Sequence, residues 1–300
     1  MMGRVSTTPA IEVHGLRKAY GEHEAVRGID FTVGRGEVFG LLGPNGAGKT
    51  TTVEILEGYR ARDAGDVSVL GFDPERRERA LRERLGIVLQ SCGFDRHLTP
   101  REMVEHWATL YPHPRDPGEV IALVGLQDKQ DDVVRKLSGG QQRRLDLALA
   151  LVGDPELIFL DEPTTGFDPA ARRAAWGAIR SLRDLGKTVV LTTHYLDEAQ
   201  ELSDRVAIIK DGRIQAIGTP GELGVGAAQR VRVSWRGEDG ELHEREVEDP
   251  TQLLHDLTAE ALARGASVRE LTVVRPSLED VYLELTAEAQ EPLPEEPARV

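Results

Sequence analysis

A glycine-rich segment of the sequence has the residue types and spacing of a phosphate-binding loop. Gly43-Pro-Asn-Gly-Ala-Gly-Lys-Thr50 fits the pattern G-x-x-x-x-G-K-[ST] between an apolar run and a predicted helix. Glycines let backbone N–H groups turn inward around an anion, and the helix start behind them adds the positive end of its dipole. Lys49 can reach terminal phosphates, and the Thr50 hydroxyl can ligate Mg²⁺. A glycine-rich turn without a ligand is the alternative.

Two adjacent acids follow a short apolar run. Leu157-Ile-Phe-Leu160 continues directly into Asp161 and Glu162, so a strand here would place both carboxylates at its C-terminal end, where open α/β sheets bind ligands. Asp161 is suited to hold Mg²⁺, usually through its water, and Glu162 is suited to polarise the water that attacks a γ-phosphate. The alternative is that these acids only favour the N-terminus of the next helix.

A second glycine-containing segment, Leu137-Ser-Gly-Gly-Gln141, precedes another predicted helix. Ser138 is a natural N-cap, and Gly139 and Gly140 leave the first-turn amides accessible, so this helix start is another candidate anion site. An ordinary capped helix is the alternative. The apolar stripe that would bury this helix consists of Leu145, Ala148, Leu149 and Val152.

These motifs need elements that position them, and apolar runs alternating with helical patterns predict a parallel sheet covered on both faces. The predicted strands are Val38–Leu42, Leu85–Leu89, Leu157–Leu160, Thr188–Thr192 and Val206–Ile209. The predicted helices are Lys49–Gly58, Thr99–Leu110, Gly118–Val124, Gly139–Val152, Pro169–Leu185 and Leu196–Leu202. Upstream, runs between Ile11 and Val33, separated by Gly21 and Gly28, predict the strands of a small sheet.

The alternation stops near Gly218–Gly221, and we place a domain boundary at about residue 222. Beyond it, a period of two through Val231, Val233 and Trp235 predicts a strand, and Gly237–Gly240 predicts a hairpin turn. Helices over 250–264 and 277–286 and a strand over 268–274 complete a small α+β unit spanning residues 223–286. The Pro- and Glu-rich tail, residues 287–300, is predicted to be disordered.

Composition excludes several classes of protein. The 300 residues include 37 basic and 51 acidic side chains, and the net charge of −14 argues against a nucleic-acid coat or an anionic-lipid anchor. Cys92 is the only cysteine, which excludes an internal disulfide and favours a reducing compartment. No run approaches the about 20 apolar residues of a membrane-spanning helix, and the N-terminus does not resemble a secretory signal. We therefore expect a cytoplasmic protein.

Taken together and in this order, the motifs resemble those of the ATP-binding subunit of an ABC transporter, over roughly residues 11–221. Leu137–Gln141 matches the signature sequence of that family. Gln90 matches its Q-loop glutamine and His194 its H-loop histidine, each just after a predicted strand. Tyr20 matches the aromatic residue that stacks on adenine, with simple core packing as the alternative.

The resemblance implies a fold and an assembly. The fold would be α/β, with a P-loop NTPase parallel sheet core, an antiparallel β subdomain and a helical subdomain, followed by the small α+β unit. Two copies would sandwich two ATP molecules, with the signature amides of one subunit on the γ-phosphate held by the other. Because the chain has one phosphate loop and one signature, the active unit would be an ATP-dependent homodimer.

The resemblance also assigns roles to single residues. His194 would hold the γ-phosphate and orient Glu162 and water, and Gln90 would touch Mg²⁺ and link the site to a membrane partner. The loop after Glu162 reads Thr165-Gly-Phe-Asp168 where many ABC proteins have Ser-Ala-Leu-Asp, but Asp168, which makes a cross-dimer contact, is retained. The implied site comprises Glu162, His194 and Gln90 for catalysis, Thr50, Gln90 and Asp161 for Mg²⁺, and, for ATP, Tyr20, Gly43, Pro44, Asn45, Gly46, Ala47, Gly48, Lys49, Thr50, Thr51, Ser138, Gly139, Gly140, Gln141 and Asp168.

Two segments, Leu160–Pro169 and Pro276–Thr286, are similar to ATPase subunits of drug-resistance exporters of the daunorubicin type, whose permease is a separate chain. The expected function is an ATPase that drives export of a drug, antibiotic or other small molecule. It would lie on the cytoplasmic face of the membrane through its permease, with no nucleic acid and no direct contact with the cargo. The alternatives are a soluble ABC ATPase acting on ribosomes or nucleic acid, and a nucleotide switch that does not hydrolyse ATP.

Overall fold

The computed structural model of the chain describes residues 8–88, 95, 97–226, 231–237, 240–274 and 278–286. The chain divides into two units, one ending at Leu223 and the other beginning at Gly224. Gln90, Cys92 and the predicted disordered tail, residues 287–300, lie outside the described residues. In the part of the chain that is described, no helix is both long enough and apolar enough to cross a membrane.

The strands of the first unit are β1 (Ile11–Tyr20), β2 (His23–Val33), β3 (Val38–Leu42), β4 (Ala64–Val69), β5 (Leu85–Val88), β6 (Leu157–Asp161), β7 (Thr188–Thr193), β8 (Arg205–Lys210) and β9 (Arg213–Gly218). The helices as far as residue 226 are α1 (Lys49–Leu56), α2 (Arg79–Arg82), α3 (Pro100–Ala108), α4 (Pro117–Leu123), α5 (Gly139–Leu151), α6 (Pro169–Asp184), α7 (Leu196–Leu202) and α8 (Pro220–Gly226). The predicted elements from β3 to β8 are present, with ends that differ by a few residues.

A six-stranded sheet, in the order β5-β6-β7-β3-β8-β9, forms the centre of the first unit. The first five of these strands are parallel, and β9 is antiparallel to β8. A second, antiparallel sheet has the order β2-β1-β4. The predicted parallel sheet is therefore confirmed, and β4 and β9 are two strands that the sequence patterns did not predict.

The central sheet is buried on both faces because its strands alternate between two apolar cores. Within β6, Ile158 and Leu160 pack in the core that contains α3, α4 and α5, and Phe159 packs in the core that contains α1 and the antiparallel sheet. Every residue of β3 is buried. Near-continuous apolar strands of this kind are typical of parallel sheets with helices or a second sheet on each side.

Two sequence predictions need correction. Gly28 does not separate two strands: it lies inside β2 at a register shift, where Leu16 pairs with Ile29 and Arg17 pairs with Arg27. Gly28, with a φ of +79°, is the extra residue of this β-bulge, and β2 continues beyond it. The apolar stripe predicted for α5 is also too narrow, because all residues of Leu145–Leu151 are buried, Asp146 included.

The second unit contains β10 (Val231–Arg236), β11 (Leu242–Val247), α9 (Thr251–Ala263), β12 (Arg269–Val274) and α10 (Leu278–Thr286). The strands form an antiparallel sheet in the order β11-β10-β12. Strands β10 and β11 pair as far as Arg236 with Leu242, and the N–H of Gly240 donates to the carbonyl oxygen of Gly237 at 3.1 Å, so the predicted hairpin is confirmed; residues 238 and 239 of its turn lie outside the described residues. Val233, Leu278 and Val281, which belong to this unit, are buried.

Candidate active site

Three neighbouring strands of the central sheet bring the predicted catalytic segments to one edge. The strands β6, β7 and β3 lie side by side and are parallel, so their carboxyl ends are adjacent. The acids Asp161 and Glu162 end β6, His194 follows β7, and the glycine-rich loop follows β3. The topology therefore places residues separated by about 150 positions in the sequence within reach of one ligand.

The glycine-rich loop is a close-fitting backbone cradle. A Cβ atom on Gly43 would lie 2.2 Å from the carbonyl oxygen of Ile209, and one on Gly48 would lie 2.4 Å from that of Ala25. Gly48 has a φ of +103° and caps α1, and Gly46 has a φ of +80°. The neighbouring strands therefore approach so closely that only glycine fits at two of these positions, as a loop that exposes its N–H groups to an anion requires.

Lys49 directs its ammonium group into this loop. Its side chain is 5% exposed, and Nζ donates hydrogen bonds to the carbonyl oxygens of Gly43 at 2.7 Å and Pro44 at 3.1 Å. Burial lowers the pKa of Lys49, and the nearby negative charges of Glu162 and Asp161 oppose that shift. A buried cation held by two neutral carbonyls can exchange them for phosphate oxygens, whose negative charge matches it better.

Thr192, on the neighbouring strand, fixes the two acids relative to each other. Its hydroxyl donates to Asp161 Oδ1 at 2.5 Å and accepts from the backbone N–H of Glu162 at 3.0 Å. Glu162 has a φ of +45°, an uncommon backbone conformation for a residue that is not glycine. The hydrogen bond from its N–H to Thr192 therefore helps to hold Glu162 in this conformation.

The Glu162 carboxylate lies between a histidine and the lysine of the loop. Oε1 is 3.2 Å from His194 Nδ1 and 3.9 Å from Lys49 Nζ, and Oε2 accepts a hydrogen bond from the Thr165 hydroxyl at 3.1 Å. The side chain of Glu162 is only 12% exposed. An anchored carboxylate at the rim of a phosphate cradle can orient and polarise a water molecule.

Tyr20 reaches the same pocket from the antiparallel sheet. Its ring is 41% exposed, with the guanidinium of Arg60 at 5.2 Å and Lys18 Nζ at 5.8 Å from the ring centroid. An exposed ring with cations beside it can stack on a nucleobase. The pocket is lined by Tyr20, His23, Ala25, Asn45, Gly46, Gly48, Lys49, Thr50, Thr51 and Glu162.

The predicted signature residues lie elsewhere in this chain, at the start of α5. Ser138 caps the helix: its hydroxyl accepts from the Gln141 N–H at 3.3 Å, and Gln141 Oε1 accepts from the Ser138 N–H at 2.8 Å. Ser138 and Gly139 are exposed, and a Cβ on Gly139 would meet no atom within 4 Å. Within the described residues, none of these groups lines the pocket of the phosphate loop. The site within one chain therefore does not bring both glycine segments together.

Asp168 has a structural contact that sequence reasoning did not predict. Its Oδ1 accepts a hydrogen bond from the N–H of Ala171 at 2.9 Å, so it caps the first turn of α6. The residue is exposed, which leaves it accessible to a second chain. Gln90, the remaining predicted site residue, falls among residues that the structure does not describe.

Several positioning residues were missed by sequence reasoning. Thr192 had a usable signal, because it is a polar residue at the end of an apolar strand beside the acids. Glu198 had none: it is fully buried on α7, and its Oε1 accepts from the Thr164 hydroxyl at 2.7 Å and from Trp176 Nε1 at 3.2 Å. This carboxylate ties the loop after β6 to α6 and α7, a contact between residues distant in sequence.

Glu57, just after the end of α1, has a pKa raised to about 8, chiefly by burial and secondarily by the negative charges of Asp161 and Glu54. Because this pKa lies above the unfolded value of about 4.5, the folded chain binds the extra proton. The stability that neutral Glu57 contributes is therefore present at low pH and is lost as the pH rises from about 4.5 through about 8.

Replacing Glu57 by Gln is expected to stabilise the nucleotide-free protein at alkaline pH. We expect the free energy of unfolding to rise by about 2 kcal/mol at pH 8.5, because the amide is not ionised, and to change by less than about 0.5 kcal/mol at pH 5. Urea titrations at the two pH values measure both. The exposed Glu22, replaced by Gln, is the matched control. An equal effect of the Glu57 substitution at both pH values would contradict this assignment.

Comparison of the sequence with known proteins identifies relatives that are ATP-binding proteins. The ABC transporter family profile matches residues 26–165. A fluoroquinolones export ATP-binding protein of Mycobacterium tuberculosis is 41% identical over 283 residues, covering 93% of this chain and 94% of the relative. A daunorubicin/doxorubicin resistance ATP-binding protein of Streptomyces peucetius is 38% identical over 307 residues, covering 93% of each. A Nod factor export ATP-binding protein of Sinorhizobium fredii is 40% identical, covering 95% of this chain and 88% of the relative.

Solved structures support the same fold. The chain is similar to an ATP-binding subunit of an ABC transporter, with a TM-score of 0.66 and 24% identity, covering 93% of this chain and all of that one. It is also similar to cbiO1 of Clostridium perfringens, part of the ABC transporter complex cbiONQ, with a TM-score of 0.66 and 28% identity over 73% of this chain and 91% of that one. Site geometry, sequence relatives and fold agree, and the chain belongs to the ABC transporter family, as one of its ATP-binding ATPases.

Proposed function

We propose that this chain is the ATP-hydrolysing subunit of an exporter, which dimerises around two ATP molecules and drives a drug, antibiotic or other small molecule through a separate membrane permease. The observation that carries the proposal is the Glu162 carboxylate, held between His194 Nδ1 at 3.2 Å and Lys49 Nζ at 3.9 Å beside the phosphate cradle. A non-hydrolysing switch would not need a base anchored at this place.

In the proposed reaction, this chain's residues position ATP and a water molecule. The loop Gly43–Thr51, through the backbone N–H groups that all its residues except Pro44 carry, and the Lys49 ammonium would bind the phosphates. Tyr20 would stack on the adenine. Glu162 would polarise the attacking water, with His194 holding the carboxylate and the γ-phosphate. Thr50 and Asp161, together with Gln90, would hold Mg²⁺, which neutralises charge on the phosphate oxygens when bound.

The exposed start of α5 supports the proposed homodimer. A chain with one phosphate cradle and one capped, glycine-rich helix start, which lie apart, can use both only if a second copy completes each site. Ser138, Gly139, Gly140 and Gln141 would then bind the γ-phosphate held by the partner subunit, and Asp168 would contact the partner. Loss of the γ-phosphate would release the dimer and transmit that motion to the permease.

The names of the relatives support a role in export over another use of an ATP-dependent dimer. Three relatives that this chain covers for 88% or more of their length are named for fluoroquinolone export, daunorubicin/doxorubicin resistance and Nod factor export. We therefore place this chain on the cytoplasmic face of the membrane, bound to its permease. The unit predicted over residues 223–286 is proposed as an accessory or regulatory domain of the same subunit.

Purification from detergent-solubilised membranes tests the proposed partner. We expect the affinity-tagged chain, expressed in its own cells, to retain a multi-spanning membrane protein at an equal molar ratio. Glu162→Gln should retain it as well, because that change alters one side chain of the nucleotide site without a backbone clash. The soluble fraction provides the comparison. Recovery of the chain with ribosomes or nucleic acid, and without a membrane protein, would contradict export and favour the soluble alternative.

A further inference from the structure

The helix that carries the signature residues also contacts the backbone on both sides of Glu162. From the second turn of α5, Arg143 extends its side chain to the loop that follows β6. Nη2 donates to the carbonyl oxygen of Asp161 at 3.0 Å, and Nε donates to that of Pro163 at 3.3 Å. The side chain is 12% exposed. One guanidinium group therefore holds the residue before and the residue after the proposed base.

The link is rigid on the helix side as well. Arg143 Nη1 lies 3.7 Å from Asp146 Oδ2, one turn further along α5, and Asp146 is 7% exposed. The guanidinium group is planar, and the ion pair with Asp146 restricts it further. It therefore loses little conformational entropy when it donates to the two carbonyl oxygens. A shift of α5 therefore has to move the backbone at Asp161 and Pro163, and the Glu162 carboxylate with it.

We propose that Arg143 couples the two ATP sites of the dimer. The inference rests on the proposed function, in which the start of α5 binds the nucleotide of the partner subunit while Glu162 acts on the nucleotide of its own chain. Engagement of Ser138–Gln141 by the partner's ATP would then set the position of Glu162 through Arg143. In this role Arg143 is a positioning residue, because it would act on the water and the phosphates only through Glu162.

The conformation of Glu162 explains why such a link would be needed. Its φ of +45° is an uncommon conformation that the surroundings must maintain. Thr192 holds the N–H side of Glu162 from β7, and Arg143 holds the flanking carbonyls from α5. The backbone at Glu162 is therefore held from β7 and from α5, and of these two elements α5 carries the residues, Ser138–Gln141, that the partner's nucleotide would engage.

Arg144 is a matched control from the next position of the same helix. Its Nη1 donates to the carbonyl oxygen of Gly125 at 2.7 Å, just after the end of α4, and not to the segment that carries Glu162. Both residues are partly buried arginines whose side chains donate to backbone carbonyls. Substituting each by Gln removes the same charge from α5, but only the Arg143 substitution removes the contact beside the base.

Steady-state ATP hydrolysis as a function of ATP concentration tests the proposal. For the parent protein we expect a Hill coefficient clearly above 1, up to the limit of 2 that two coupled sites allow. Arg143→Gln should lower kcat about tenfold, equivalent to about 1.4 kcal/mol in the barrier, and bring the Hill coefficient toward 1. Arg144→Gln should keep both values within about twofold. In a Glu162→Gln background, Arg143→Gln should still dimerise at an ATP concentration within about threefold, because the signature residues are unchanged.

The outcomes separate this inference from the proposed function. A cooperative parent dimer whose Arg143→Gln variant keeps the parent kcat and Hill coefficient would overturn the role of Arg143 and leave the dimer standing. A non-cooperative, monomeric parent protein would remove the dimer and the coupling together. If Arg143→Gln does not fold, Arg143→Lys decides: one ammonium cannot replace the two-armed contact, so parent values for this variant would equally overturn the proposal.

Discussion

Replacing Glu162 by Gln is expected to abolish ATP turnover while ATP binding persists. The amide has nearly the shape of the carboxylate and can keep its contacts with Thr165 and His194, but it cannot polarise the attacking water. General-base catalysis contributes about 10²- to 10⁴-fold, so phosphate release should fall at least about 100-fold. Because bound ATP would no longer be consumed, the variant should accumulate closed dimers, visible by sedimentation with saturating ATP and Mg²⁺.

The carboxylate of Glu201 provides the control for this substitution. It is exposed on α7 and pairs with Arg180, and such surface pairs contribute little, so Glu201→Gln should hydrolyse ATP at the parent rate. Two results would contradict the proposed mechanism. Turnover at the parent rate in Glu162→Gln would show that another group is the base. A Glu162→Gln protein that stays monomeric with ATP and Mg²⁺ would exclude the ATP-dependent homodimer.

Replacing Gly48 by Ala is expected to damage both stability and nucleotide binding. The new Cβ would lie 2.4 Å from the carbonyl oxygen of Ala25, a backbone atom that cannot move without displacing β2. We expect a loss of about 3 kcal/mol in the free energy of unfolding, since overpacking of this kind typically costs about 1–3 kcal/mol and left-handed strain adds about 1 kcal/mol. ATP affinity should fall at least about 100-fold, because the displaced loop no longer aims its N–H groups at the phosphates.

Gly46→Ala is the control that distinguishes the steric clash with Ala25 from the backbone strain of a positive φ. Gly46 also has a positive φ, of +80°, but a Cβ there would meet no atom within 4 Å. This variant should lose only about 1 kcal/mol in urea denaturation of the nucleotide-free protein. Equal losses for the two variants would show that backbone strain, and not the contact with Ala25, makes glycine necessary at position 48.

Among the predicted site residues, those with a local pattern were placed as expected. The glycine-rich loop does follow the buried strand β3 and precede α1, and the acids do end β6, because burial of a parallel strand requires a continuous apolar run that ends where the polar edge begins. The hairpin in the second unit could be predicted from the turn residues, because Gly237 and Gly240 follow a strand in which Val231, Val233 and Trp235 alternate with polar residues. Gly28 was wrongly predicted to separate two strands, because glycine is common both at β-bulges and at the ends of strands.

The sequence by itself determined which chemical groups stand at the ends of which strands, and therefore the phosphate cradle, the acids and the histidine. Only the tertiary structure decided how these groups meet: that Thr192 joins the two acids, that Glu162 lies between Lys49 and His194, and that Arg143 reaches across from α5. Strand and helix patterns arise from residues a few positions apart, whereas these contacts depend on sheet order and on the packing of α5, α6 and α7 against the sheet. Such long-range pairings leave no periodic signal along the chain, so only the folded molecule contains them.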